Sequence, residues 1–169
     1  MATGEGEKNV EQFAERLRQG HALIGHAGHF PSADLLDKTM ERLLPKQFVS
    51  LMTRYAFRAF TWGQISFLGN SGSEDQLGDF PAEAIRDGFL WRTLIDAGLI
   101  QFARPADGQY DPICFDVRSF NGKADAPVVR VDHEEALIRG RVKVLNVIAP
   151  SFAVLVEMLL ASPSGPVVD

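Results

Sequence analysis

The chain is poor in features that would announce a chemistry. It has one cysteine, two tyrosines and four histidines in 169 residues, and cationic side chains are outnumbered, 17 Lys and Arg against 22 Asp and Glu. A single thiol excludes a disulfide framework within one chain and makes a reducing compartment the expectation. That thiol, Cys114, lies between Ile113 and Phe115. It therefore reads as a buried core residue, because a reactive cysteine needs a cationic, partly exposed setting. The opening MATGEGEKNV has no basic stretch followed by an apolar core, so no secretory signal is read there and a cytoplasmic location is expected. The longest mostly apolar run, Val144 to Ala161, is broken by Asn146, Pro150, Ser151 and Glu157 and falls short of a membrane span. A net charge of −5 and a pI near 5.4 oppose non-specific binding to nucleic acid. After Leu68, GNSGSED has no Lys-Ser or Lys-Thr behind its glycines, which excludes a phosphate-binding loop. Around Ser151 there is no G-x-S-x-G elbow, and no internal repeat is present.

What remains is the composition of one globular domain, 46% hydrophobic and 23% charged, able to bury roughly two-thirds of its unfolded surface. Residues 1–9 read as disordered, 10–161 as the domain and 162–169 as a flexible tail. Val10, Phe13 and Leu17 recur at helical spacing, with Gly20 as the expected cap. HALIGHAGHFP then breaks regular structure, and its histidines, His21, His26 and His29, have no cysteine or carboxylate among them to complete a zinc set. A second helix, capped by Ser32 or Asp34, would carry Leu35, Leu36, Met40, Leu43 and Leu44 up to Pro45. A third would place Phe48, Leu51, Met52, Tyr55 and Phe57 on one face. Trp62 to Leu68 alternates as one strand, with Gly63, Ile65 and Phe67 opposite Trp62, Gln64 and Ser66. From Pro81 to Ala97 the pattern is one helix or two broken at Gly88, stopped by Gly98. Short strands are expected at Leu99 to Ala103 and Arg141 to Val147, and a helix from Pro150 to Ala161.

The rest is organised around Tyr110 to Glu134, where two apolar runs, Ile113 to Val117 and Val128 to Val131, flank a polar stretch containing Asn121-Gly122. This is a β-hairpin with an extended loop. Helices first and strands mostly in succession predict an α+β domain: a single antiparallel or mixed sheet of about five strands with helices packed against it. Ile113, Phe115, Val129 and Val131 are expected to face a core. Asp111, Asp116, Asp132, His133 and Glu134 gather at strand ends, and the hairpin would bring Asp116 towards Asp132. Such a set fits a polar rim and turn caps, with a metal-dependent hydrolase using these acids and His133 as the alternative. The basic and aromatic run Arg54, Tyr55, Phe57, Arg58, Phe60 and Trp62 reads as core with a solvated edge rather than a stacking platform.

The combination Tyr110-Asp111-Pro112-Ile113-Cys114-Phe115-Asp116, then Ala126-Pro127-Val128-Val129 leading to Val131-Asp132-His133-Glu134, then Ile148-Ala149-Pro150-Ser151-Phe152, resembles the SUKH superfamily, which includes the Smi/Knr-like proteins. Leu44-Pro45 before Phe48 is similar to that family's helix start, whereas Phe60-Thr61-Trp62-Gly63 stands where an Asn-Gly-Gly is common. The resemblance spans about residues 34–160 and is strongest over 99–160. It implies a single-sheet domain that acts by binding, without catalytic residues or a cofactor. Bacterial members are typically immunity proteins that neutralise a toxin, often a nuclease or deaminase, while fungal relatives act as regulatory adaptors. On this reading Tyr110, Asp111, Pro112, Phe115, Asp116, Asp132, His133, Ser151 and Phe152 are structural motif positions. The partner is a protein, met by the acids Glu74, Asp75, Asp79, Glu134 and Glu135.

Overall fold

In a computed structural model, residues 3–26, 42–71, 79–80, 82–118 and 125–168 are described. The first helix, α1 (Thr3–Gln19), begins where disorder was expected. The stripe of Val10, Phe13 and Leu17 anchors it in the core, and the Gly- and Glu-rich start extends it outward. Glu5 in its first turn and Arg16 and Arg18 in its last complement the helix dipole. It does not end on a left-handed glycine: His21 takes that conformation, with φ of 60°. Gly20 serves a different purpose, because a Cβ there would lie 2.2 Å from the Pro166 carbonyl oxygen.

A small antiparallel pair, β1 (Leu23–His26) and β2 (Tyr55–Phe57), follows α1 and α2 (Lys46–Arg54) respectively. The sequence predicted irregular chain for the first and helix for the second. Buried Asn70 accounts for the switch at Tyr55: its side-chain amide donates to the Met52 and Tyr55 carbonyls, and its oxygen accepts from Phe57 N, each at 2.8 Å. The helix predicted between Ser32 and Leu44 falls largely outside the described residues.

The main sheet is antiparallel and has six strands in chain order: β3 (Phe60–Trp62), β4 (Ile65–Phe67), β5 (Leu99–Pro105), β6 (Ile113–Asp116), β7 (Val128–Val131) and β8 (Val144–Ala149). The α+β class is as expected, with one strand more. That strand arises at Gly63, whose φ of 62° folds the predicted single strand into the β3–β4 hairpin. Trp62 thereby pairs with Ile65 and shares its buried face, correcting the predicted alternation. Between β4 and β5 lie α3 (Ala82–Ile85) and α4 (Gly88–Asp96), the break at Gly88 falling where the Asp87 carboxylate caps Phe89 N and Leu90 N. Gly98, with φ of 70°, ends this helical region.

Both faces of the sheet are buried over β5 to β7. Ile113, Phe115 and Val128 join the larger core under α1, α2 and α6 (Phe152–Ala161), while Cys114, Val129 and Val131 join a smaller one with Leu90, Leu94, Leu99 and Ala136. All four hairpin residues expected in a core are there, divided between two. The smaller core is closed by α5 (His133–Arg139), which the sequence reading did not assign. The tail is docked rather than free: Thr61 and Val167 exchange backbone hydrogen bonds at 2.8 Å, and Trp62 Nε1 donates to the Ser164 carbonyl. It covers the β3 edge.

Phe115 is fully buried, stacked on Phe102 at 4.0 Å and edge-on to Phe48 at 5.0 Å. Phe115→Ala is expected to destabilise the domain by about 3–5 kcal/mol, read as a lower urea midpoint at unchanged slope.

Candidate functional site

The motif residues converge where β6 begins and β7 ends. After β5, Gly108 turns the chain with φ of 81°, and Asp111 is delivered beneath the surface, only 6% exposed. On the neighbouring strand, Asp132 caps α5 by accepting from Glu134 N and Glu135 N, both at 3.1 Å. The cap sets His133 in the first turn, where its Nδ1 meets Asp111 Oδ1 at 2.8 Å and its backbone N–H donates to the same oxygen at 3.2 Å. The other oxygen, Oδ2, takes Arg130 Nε at 2.9 Å and a terminal guanidinium nitrogen at 2.7 Å. Gln109 Oε1 accepts from the same guanidinium, and Tyr110, 70% exposed, sets its ring 6.0 Å from the His133 ring.

Burial pushes the Asp111 carboxyl up, but the hydrogen bonds from His133 and Arg130 outweigh it and hold the group below its usual range. An ionised carboxylate accepts, so Nδ1 of His133 is the donor in this contact. The pair resembles half of a hydrolytic triad. Its geometry is that of a clamp: both carboxylate oxygens are saturated, and they fasten the β5–β6 connection to β7 and to the start of α5. Among the described residues no nucleophilic side chain reaches His133. Ser151 is occupied as the α6 cap, accepting from Val154 N at 3.1 Å, and Phe152 behind it is buried. Pro112 ends the connection and its carbonyl accepts from Val131 N.

Asp116 and Asp132 are not brought together. The register pairs Ile113 with Arg130 and Phe115 with Val128, which puts the two acids at opposite ends of the hairpin. Asp116 is held by the Arg118 side chain, which lowers its carboxyl. Asp132 also meets Lys143 at 3.3 Å. Of the acids assigned to a partner surface, Glu74 and Asp75 lie outside the described residues, and Asp79 accepts from the Ser71 hydroxyl at 2.8 Å. Glu135 is partly buried and paired with Arg139 at 2.9 Å, which leaves Glu134 exposed on α5. His21 is exposed, His26 ends β1, and His29 is outside the described residues. Among the described residues no group of His, Cys, Asp and Glu could hold a metal ion, and no helix is long and apolar enough to cross a membrane.

Three polar positions escaped the sequence reading. Asp125 accepts from Ala126 N and Ala153 N, both at 3.0 Å, and ties the hairpin loop to α6; burial pushes its carboxyl up. Glu83 is buried between Arg104 at 3.1 Å and Arg86 at 3.4 Å. Asn70 is the third. None lies in a local motif, since each answers to chain distant in sequence or to the tertiary burial of its own helix. Set against family models, curated proteins and solved structures, the chain finds no match.

Two outcomes follow from these environments. A carboxyl lowered in the folded state adds stability above its unfolded pKa and loses it as pH falls through the folded one. Asp111→Asn should therefore lower the urea midpoint at neutral pH, and the gap to wild type should narrow as pH falls from the usual carboxylate range towards the lower one of the folded protein. Burial pushes the Cys114 thiol up. It should resist iodoacetamide in the folded protein and react in denaturant, as a mass-spectrometric time course would read.

Proposed function

We propose that this chain is a non-catalytic protein-binding domain of the immunity type, one that binds and neutralises a bacterial toxin. The observation carrying this reading is how the conspicuous polar residues are used. Asp111, Asp116, Asp132 and Ser151 each close a cap or an ion pair within the fold, so the motif chemistry fixes a frame. A frame held this way presents its outer surface in one conformation, which lowers the entropic cost of association. The resemblance at Tyr110 to Glu134 and Ile148 to Phe152 supplies the partner class. A hydrolase built on the same residues would need metal ligands or a nucleophile beside His133, and among the described residues no group of His, Cys, Asp and Glu could hold a metal ion.

The test is to identify the reading frames beside this chain's own and to co-express it with a toxin-like domain encoded there. Growth should be rescued, and the two purified proteins should form a stable complex in equal proportion. Neither rescue nor complex formation by the folded wild-type chain would reject the toxin as partner.

A further inference from the structure

The tail that follows α6 lies in a groove of its own. It crosses the end of α1 and runs antiparallel to the edge strand β3, where Thr61 and Val167 form the bridge. Arg16 donates to the Ser162 carbonyl at 3.1 Å and to the Ser164 carbonyl at 3.3 Å, and Trp62 Nε1 reaches the latter at 2.8 Å. Among the described residues, each hydrogen bond from the fold to the tail is made to the tail's backbone. The Ser162 and Ser164 hydroxyls meet only one another, at 2.8 Å. Two side chains are read by the groove: Pro166 is buried and Val168 packs on the larger core, whereas Pro163, Ser164 and Val167 are exposed.

The groove is shaped to this occupant. At Gly20 a Cβ would lie 2.2 Å from the Pro166 carbonyl oxygen and 2.9 Å from its Cγ. The backbone there is not left-handed, so what excludes a side chain is the docked tail. Trp62 is fully buried, stacked on Phe13 at 5.0 Å, with the Arg16 guanidinium 5.6 Å from its ring centroid. Arg16 Nε is buried without a hydrogen-bond partner among the described residues, so the tail leaves one donor of the groove unused. Its hold on β3 is also the shortest pairing in the sheet, one bridge where each neighbouring pair of strands shares three or four.

From this arrangement we infer that the β3 groove docks an extended segment of the partner protein, which displaces Ser162 to Val168 and pairs with Thr61 in their place. The inference rests on the reading of the chain as a protein-binding domain and specifies where and how the partner is held. A groove that bonds to backbone accepts any chain of the same shape, which is the basis of strand addition at a sheet edge. Selectivity then comes from the side chains it encloses. The incoming segment carries a proline or a smaller residue beside Gly20, an aliphatic residue two positions later where Val168 packs, and, earlier, an acceptor for Arg16 Nε. The tail acts as a tethered competitor, lowering the apparent affinity of that segment by the fraction of molecules whose groove is open.

The probe is a synthetic peptide of the sequence of residues 162–169, SPSGPVVD, titrated into the 15N-labelled full-length chain. The tail variant Val167→Pro, Val168→Asp should bind it at least about tenfold more tightly than wild type, because the competitor is weakened, with shifts at Gly20, Thr61 and the Trp62 indole N–H. Val168→Ala, which keeps the tail's hydrogen bonds, should give a smaller gain of the same sign and decides the matter if the double variant does not fold. Adding Gly20→Ala to either should abolish binding, since the same Cβ refuses both copies. Equal affinity in wild type and the tail variants, no binding to any of them, or shifts elsewhere would overturn the inference. So would a wild-type dimer with exchanged tails, which would assign the groove to a second copy of the chain. A toxin-like domain encoded beside this chain separates the two readings. If wild type and Gly20→Ala rescue growth equally and the toxin's shifts avoid the groove, the immunity reading stands and the docking groove falls. If the peptide binds as expected but wild type does not rescue, the groove stands and the toxin falls.

Discussion

One phenylalanine fixes how the layers meet. Phe48, on the short helix α2, is set edge-on to Phe80, Phe102, Phe115 and Phe152 at centroid separations between 5.0 and 5.6 Å. Those four rings come from the chain before α3, from β5, from β6 and from α6. Edge-to-face contacts of this kind add about 0.5–1.5 kcal/mol each beyond the area they bury. They are also directional, so the angle of α2 on the sheet and the seating of α6 beside it are fixed together. Everything at the hairpin end, from Asp125 tethering α6 to Asp111 holding α5, presupposes that this aromatic centre has formed.

The hairpin was legible because its signal is local. Alternation and β-branching identify Ile113 to Asp116 and Val128 to Val131 without reference to the rest of the chain. What alternation could not show is that both faces are covered, which places Cys114 and Val129 in one core and Phe115 and Val128 in another. The misreadings have physical causes of the same type. Tyr55 and Phe57 continue the apolar spacing of α2, and only Asn70, far along the chain, turns them into a strand. The tail has nothing in its own composition to mark it as ordered; the ordering comes from Thr61, Trp62 and the space left by Gly20. Helix α5 did carry a usable sign, since Asp132 with Glu135 three residues on is a capping pattern. Leu137 and Ile138 point outward and blurred the stripe that would have confirmed it.

At the motif, the residue types most suggestive of catalysis do structural work. Asp111 sits at a junction of three segments and gives each a fixed position through one carboxylate. One carboxylate thus answers a histidine and an arginine at once, on its two oxygens. The acids Asp111, Asp116, Asp132 and Glu135 are each paired within the fold, whereas Glu134 is exposed.

The packing of α1 against α6 ties together the first and last described helices. Asn9 reaches Glu157 at 3.4 Å and Arg16 reaches the Ser162 carbonyl at 3.1 Å across this seam. In chain order α1 precedes α6 by most of the domain, so the α2 helix and the β3–β4 hairpin, which also pack on its stripe, are made well before α6 is. The nascent chain can therefore cover part of α1 early, while the side that meets α6 stays open until that helix is made. Sealing of the α1–α6 seam is thereby left to the late part of folding.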